Sequence, residues 1–149
     1  MAEFVHLPNI SFRKGKIKVD VPLSKIGKNF EKAQYWLDSQ IMNDMVPYMP
    51  HVTGIFTNLT RAQSAAIAGT GLVYAAASTS YGRFLYFGKV MVDPETGSPF
   101  ARPGVKKILT DRPLKYSSPE TVPEWFEVAK EQHMTDWVDG VEKILTEDI

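Results

Sequence analysis

The chain has 149 residues, of which 44% are hydrophobic and 23% charged, and this size and composition predict one globular domain over residues 1–149 with a modest core. It contains no cysteine, which excludes a disulfide framework, a cysteine-ligated zinc site and a thiol nucleophile. The lack of cysteine also favours folding in a reducing, intracellular compartment. The first residues lack the charged start and long apolar run of a signal peptide, so we expect the chain to stay in the cytoplasm.

The charges are divided unevenly along the chain, although the formal net charge is zero. Residues 1–115 carry 15 Lys and Arg against 8 Asp and Glu, whereas residues 116–149 carry 2 against 9. The body is therefore basic and the last quarter acidic. Two interpretations remain open. The acidic segment lies across the basic body of its own chain, or the two surfaces meet between neighbouring copies in a ring.

The first predicted elements are a strand and a long helix. In Gly15–Ser24, apolar residues alternate with polar ones, which is typical of a half-buried strand. Ser24 stands where the N-cap of the next helix is expected. Apolar residues at three- and four-residue steps from Ile26 to Met45 predict an amphipathic helix of about five or six turns. Pro47 and Pro50 should end it.

The residue pattern in the middle of the chain predicts its elements less clearly. Residues 55–67, IFTNLTRAQSAAI, fit either a short helix or a strand. The small and β-branched residues of 69–78 favour a strand that packs closely on another backbone. Residues 62–82 carry no formal charge, but they contain too few large aliphatic side chains to gain much from lipid. We therefore expect no membrane span here.

The segment YGRFLYFG, residues 81–88, contains four aromatic rings. It holds too many large apolar groups to be left in water, so at least half of it should be core. If it is a short helix, Arg83 and Phe87 share one side, while Tyr81 and Leu85 share another. We expect a core anchor on one face and a docking surface on the other.

A proline-rich stretch over residues 89–123 predicts a long loop, with a turn at 93–97 and a short strand within 105–111. Such a loop in a compact domain is more often functional or ordered by a partner than idle. Helical spacing resumes in the acidic residues 124–147 and predicts a second long helix. Pro123 suits its first turn, and the acidic residues that follow lie at the positive end of its dipole.

The chain shows no residue pattern typical of a catalytic, metal or cofactor site. His6, His51 and His133 are scattered and share no metal-ligand spacing. Carboxylates near the start of the second helix share a face, but a solvated surface explains them better than a metal site. Neither a phosphate-binding loop nor a nucleophile elbow is present. We therefore expect no enzymatic activity, no metal and no cofactor.

A basic region follows the aromatic segment, and it could meet the phosphates of a nucleic acid. Its members are Arg83, Lys89, Arg102, Lys106, Lys107, Arg112 and Lys115. No recognised nucleic-acid motif accompanies them, and the acidic helix competes for them within the same chain. Nucleic-acid binding is therefore the second choice of function.

Four segments together resemble the minor capsid proteins of long-tailed phages and prophages of Gram-positive bacteria. They are TGIF (53–56), YGRFLYFGKVMVDPETGSPFARPG (81–104), LTDRPLKYS (109–117) and WFEVAKEQHMTDWVDGVEKIL (125–145). The match covers roughly residues 16–147 and leaves residues 1–15, an N-terminal arm, without resemblance. Gly82 departs from the family, where alanine is usual. By helix propensity this change should loosen the local helix only slightly.

The resemblance implies an α+β fold, with a long N-terminal helix and a C-terminal helix packed on a small, mainly antiparallel sheet. It also implies a structural virion protein, assembled in the bacterial cytoplasm, which completes the head-to-tail connection as a ring around the DNA channel. The implied partners are a head-completion (stopper) protein, a tail terminator or tail-tube protein, and further copies of the same chain. These copies would form a ring of about six or twelve subunits. Transient contact with passing DNA is compatible with this position.

The residues expected at subunit or partner interfaces come from both charged surfaces. They are Tyr81, Arg83, Phe87, Lys89, Arg102, Lys106, Lys107, Arg112, Lys115, Glu124, Glu127 and Glu131. The loop from Lys89 to Lys115 is expected to project to a neighbour and to become ordered there. The alternatives are a small nucleic-acid-binding accessory protein and an assembly chaperone that is absent from the mature particle.

Overall fold

A computed structural model of the chain describes residues 8–51 and 53–147. The fold is α+β, as the sequence predicts, with two long helices, two short helices and two antiparallel hairpins among these residues. The elements are β1 Ile10–Lys14, β2 Ile17–Val21, α1 Leu23–Met45, a 3₁₀ turn Val46–Tyr48, α2 Ile55–Ala66, α3 Gly82–Phe87, β3 Lys89–Val92, β4 Ile108–Pro113 and α4 Trp125–Leu145. The part of the chain described contains no helix that is both long and apolar enough to span a membrane.

Helix α1 ends where the prolines predict, but its start differs from the prediction. The helix begins at Leu23, directly after Pro22, so Ser24 is inside the first turn and is not its N-cap. The Ser24 hydroxyl donates to Oδ1 of Asn9 at 2.7 Å, and its backbone N–H donates to the same oxygen at 3.1 Å. Ser24 therefore ties the chain before β1 to the start of α1.

Helices α1 and α4 pack against each other in antiparallel directions. Near the start of α1, Asn29 donates from Nδ2 to the carbonyl of Glu147 at 3.0 Å. Near its end, Asp44 accepts a hydrogen bond from the Trp137 indole at 2.7 Å. Between them, a Cβ built on Gly140 would lie only 2.6 Å from Trp36 Cζ3, so glycine lets the helices approach closely.

The core lies at the end of this helix pair where α1 finishes and α4 begins. Its fully buried centre is Trp125, the first residue of α4. Met45 and Met49 are also fully buried, and Phe56 of α2 packs edge-on against the Trp125 ring. Together with Ala77 from the coil after α2, residues from four parts of the chain share one cluster, which is how the small domain obtains its core.

The prediction of a strand over residues 69–78 is wrong, whereas the uncertain segment before it forms helix α2. The backbone of 69–78 pairs with side chains. Asp38 Oδ2 accepts from the N–H groups of Gly69 and Gly71 at 2.8 and 3.0 Å, and Thr60 Oγ1 accepts from Ala77 N–H at 3.0 Å. Because helices α1 and α2 supply these acceptors, the segment needs no neighbouring strand.

The strands form two separate hairpins. In the first, β1 lies in the segment predicted as an N-terminal arm, and Phe12 pairs with Val19 of β2. In the second, β3 and β4 pair with Met91 opposite Leu109. The stretch predicted as a long irregular loop is therefore partly regular, since β3 and β4 bracket a connection over residues 93–107.

Enlarging Gly140 should destabilise the helix pair. We expect Gly140→Ala to lower the free energy of unfolding, because overpacking costs about 1–3 kcal/mol while the better helix propensity of alanine offsets about 1 kcal/mol. Urea denaturation followed by circular dichroism measures this change.

The matched control removes the clashing ring atoms. Adding Trp36→Phe to Gly140→Ala should restore part of the lost stability, because phenylalanine lacks the second ring that meets the new methyl group. A Gly140→Ala variant at least as stable as the parent would contradict the packing account.

Candidate interaction surface

The aromatic segment is built with one side in the core and one side in solvent. Tyr86 packs edge-on against Trp125, with ring centroids 5.0 Å apart, while Arg83 and Phe87 are exposed. Tyr81 contacts both Phe56 and Phe84 through ring-to-ring packing, at 5.9 and 6.4 Å. The core thus holds α3 in position and presents Arg83 outward.

Gly82 is required by a close backbone approach. A Cβ at this position would overlap the carbonyl oxygen of Ala77 and would lie 3.1 Å from the Thr79 hydroxyl. The prediction that glycine merely loosens the helix misses this contact. The bend from Ala77 into α3 is tight because residue 82 has no side chain.

An open cavity of about 590 Å³ lies beside α3 and is both basic and aromatic. Its lining residues are Thr79, Ser80, Tyr81, Arg83, Phe84, Met91, Val105, Lys106 and Lys107. The lining combines three hydroxyl groups and three cationic side chains with aromatic and aliphatic walls. We call it the basic cavity. It suits carboxylates or phosphates presented with apolar atoms beside them.

The basic cavity unites four of the predicted interface residues, Tyr81, Arg83, Lys106 and Lys107, and the remaining basic-side residues lie elsewhere. Phe87 packs on Tyr86, and Lys89 is half-buried in β3. Arg112 donates to the carbonyl of Gly97 at 3.2 Å. Lys115 lines a small separate cleft of about 140 Å³.

The turn at 93–97 is organised by a buried carboxylate. Asp93 has no exposed surface, and its Oδ1 accepts from the N–H of Glu95 at 2.9 Å. Its Oδ2 accepts from Arg102 through Nε at 2.9 Å and through the backbone N–H at 3.2 Å. The Arg102 guanidinium also pairs with Glu95 at 2.9 Å. Arg102, which the sequence predicts at an interface, therefore already pairs with two carboxylates of its own chain.

The charge of Asp93 is stabilised by these contacts. The hydrogen bond from Arg102 holds the pKa of the Asp93 carboxyl well below its ordinary value of 3.8, and the Glu95 N–H acts in the same direction. Residues 93–102 are thus ordered by contacts with Asp93 of the same chain, whereas the sequence predicts that a partner orders them. Sequence reasoning missed this anchor, although the Asp-Pro turn with an arginine nine residues later was the available signal.

The start of α4 presents an acidic groove of about 500 Å³ on the outside of the molecule. Its lining includes the three predicted interface carboxylates, Glu124, Glu127 and Glu131, together with Met134 and Lys130. In the described part of the chain, no salt bridge joins these three carboxylates to the basic body. Pairing of the acidic segment with its own body occurs further on, between Glu147 and Lys32.

The two described histidines contact residues close to them in sequence. His51 Nδ1 lies 2.8 Å from the carbonyl oxygen of Met49, and His133 Nδ1 lies 3.7 Å from Asp136. His6 falls outside the described residues. Within the described ranges, no group of three His, Asp or Glu side chains could hold a metal ion.

A family model described as minor capsid protein matches residues 15–144 of the chain. The chain belongs to the minor capsid protein family. This membership confirms the resemblance to minor capsid proteins and indicates a structural role in a phage virion, which favours a non-enzymatic protein. Comparisons with curated proteins and with solved structures gave no significant match.

The stability of this minor capsid protein should depend on pH through the charge of Asp93. The folded pKa lies below the ordinary 3.8, so the unfolded chain takes up the proton first. The stabilisation is fully present above that value and is lost as the pH falls below it. We expect Asp93→Asn to lower the melting temperature at neutral pH, and its deficit to shrink below pH 3.8.

Melting curves from neutral to acid pH check this expectation. Asp111→Asn, which removes an exposed carboxyl from β4, serves as the control and should follow the parent protein. An Asp93→Asn deficit that stays constant with pH would show that the charge of Asp93 does not stabilise the turn.

Proposed function

We propose that this minor capsid protein completes the joint between phage head and tail, as one of several identical subunits in a ring around the DNA channel. Family membership supports the virion role. One observation carries the ring arrangement: the basic cavity and the acidic groove are both open, and no described salt bridge joins their charged residues.

The two surfaces have complementary chemistry. The basic cavity offers Arg83, Lys106 and Lys107 beside aromatic walls, and the acidic groove offers carboxylates beside the Met134 side chain. When the acidic surface at the start of α4 in one copy meets the basic cavity of the next, two different patches are joined and the contact is head-to-tail. Such a contact closes into a ring when the rotation between copies permits. Charge pairs of this kind guide orientation and speed association.

The ring needs different neighbours on its two sides. On the head side we propose a head-completion (stopper) protein, and on the tail side a tail terminator or tail-tube protein. DNA passing through the ring would meet the basic residues that subunit contacts leave uncovered, such as Lys115.

Nucleic-acid binding is the second candidate, and the lining of the basic cavity favours it. Tyr81 and Phe84 flank the cationic side chains, which is the combination that stacks bases and contacts phosphates in single-stranded nucleic acids. Retention on DNA that falls steeply with salt, in a protein that never self-associates, would support this candidate over the ring.

Reversing the charge of the basic cavity should prevent assembly. We expect Lys106→Glu with Lys107→Glu to abolish self-association and head–tail joining while leaving the fold intact, because both lysines line the open cavity and neither has a described salt bridge. Sedimentation velocity and a head–tail joining assay measure the two effects.

Two further variants make this test specific. Glu127→Lys with Glu131→Lys in the same chain should restore assembly by exchanging the signs of the two surfaces. Lys25→Glu with Lys28→Glu changes the net charge equally on the exposed start of α1 and should leave assembly unchanged. Normal joining by the Lys106 and Lys107 variant would overturn the proposed contact.

A further inference from the structure

The hairpin of β1 and β2 has an apolar face that lies in solvent. Its register places Phe12 opposite Val19 and Ile10 opposite Val21, so these four side chains share a face with Ile17. The exposed fractions are 49% for Ile10, 55% for Phe12 and 68% for Ile17. Three large apolar residues on two short strands thus remain accessible.

The opposite face of the hairpin is the one adapted to water. There, the Ser11 hydroxyl donates to Asp20 at 2.5 Å, and Lys18 pairs with the same carboxylate at 3.3 Å. Across residues 8–51 and 53–147, neither strand packs extensively on any element but the other. An isolated two-stranded hairpin is only marginally stable in water, and packing of its apolar face is what makes such a unit secure.

The hairpin and the basic cavity lie at opposite ends of the α1–α4 pair. The Asn9–Ser24 bonds fix the hairpin at the start of α1, which is the end where α4 finishes. The cavity lies near the start of α4, where the Glu124 N–H donates to the carbonyl of Tyr86 in α3 at 2.6 Å. Helix α1 has 23 residues and is about 34 Å long, which sets the scale of their separation.

The outer face of α4 continues beyond the acidic groove as an apolar and acidic stripe. Met134, Val138 and Glu142 follow one another at four-residue steps, so they share that face. Met134 is 43% exposed and Val138 is 51% exposed. The stripe therefore combines apolar area with negative charge near the end of the helix.

The charges around the hairpin indicate which surface covers it. By the register, Lys14 lies on the apolar face opposite Ile17, and Lys16 lies in the turn beside it. Two hairpins packed face to face would bring these like charges together, which is destabilising. The stripe on α4 offers the opposite charge next to apolar side chains of similar extent.

We propose that the apolar face of the β1–β2 hairpin packs on Met134 and Val138 of α4 in a second copy, with the hairpin lysines beside Glu142. The proposal rests on the ring contact proposed above. A neighbour whose α4 begins in the basic cavity, and which runs alongside in the same direction, presents the end of that helix to the hairpin. One helix of the neighbour then joins both ends of the subunit.

Cysteine cross-linking tests this contact cleanly because the natural chain contains no cysteine. One chain carries Ile17→Cys and a second, distinguishable by a tag, carries Val138→Cys, and the two are co-expressed and treated with a short bismaleimide. The expected product is a covalent heterodimer of the two tagged chains. Adding Phe12→Ser to the first chain should reduce its yield by about tenfold, since burial of one aromatic side chain contributes at least that factor to affinity.

The controls separate the alternatives. Leu72→Cys, at a position 65% exposed in the coil after α2, replaces Ile17→Cys and should give no heterodimer with Val138→Cys. Cross-linking of Ile17→Cys chains to each other would show hairpin-to-hairpin pairing and overturn the proposal. So would an assembled ring in which the Ile17→Cys and Val138→Cys chains give no covalent heterodimer. Melting curves of each variant confirm that the fold is retained.

Cross-linking and charge reversal together distinguish a failure of the hairpin contact from a failure of the ring contact. If charge reversal at Lys106 and Lys107 blocks assembly but the covalent heterodimer does not form, the cavity contact stands and the hairpin contact falls. If the heterodimer forms while charge reversal has no effect, the hairpin contact stands and the cavity contact falls. A chain that never self-associates overturns both.

Discussion

The placement of Trp125 is the constraint on which the rest of the structure depends. Its indole N–H donates to the carbonyl of Ala75 at 2.6 Å, and its ring packs edge-on against both Phe56 and Tyr86. One side chain thereby fixes α4 against α2, the coil after it, and α3. Tyr81 packs on the same Phe56 ring, so the aromatic wall of the basic cavity is held by the core. Because interiors are closely packed, the cavity inherits the rigidity of that cluster.

Two glycines permit close approaches that a larger side chain would block. Gly140 leaves room for the Trp36 ring between α1 and α4, and Gly82 lets α3 start directly against the carbonyl of Ala77. The first contact lets the two long helices pack closely, and the second fixes the start of α3, the helix that carries Arg83. Two close approaches that only glycine permits therefore hold the elements that carry the charged surfaces.

The sequence predicts the elements whose signals are local. Periodic apolar residues predict α1 and α4, and Asp-Pro with a following glycine predicts the turn at 93–97. The strand assigned to 69–78 fails because Asp38 and Thr60 satisfy that backbone from helices distant in sequence. The full burial of Asp93 likewise depends on packing, although its partner Arg102 is only nine residues away in sequence. The basic cavity could be predicted only as a set of seven cationic residues, since the chain's path decides which three of them gather there.

The separation of charge within each subunit has a physical logic in an assembling protein. If the carboxylates of Glu124, Glu127 and Glu131 paired with their own basic body, that pairing would compete with contacts between copies. Exposed ion pairs contribute little free energy in water, so their value in the proposed ring is to select orientation and exclude wrong partners. Affinity must then come from apolar area that water leaves on association. The exposed hairpin and the stripe on α4 provide such area at the end of the helix pair that the basic cavity does not reach.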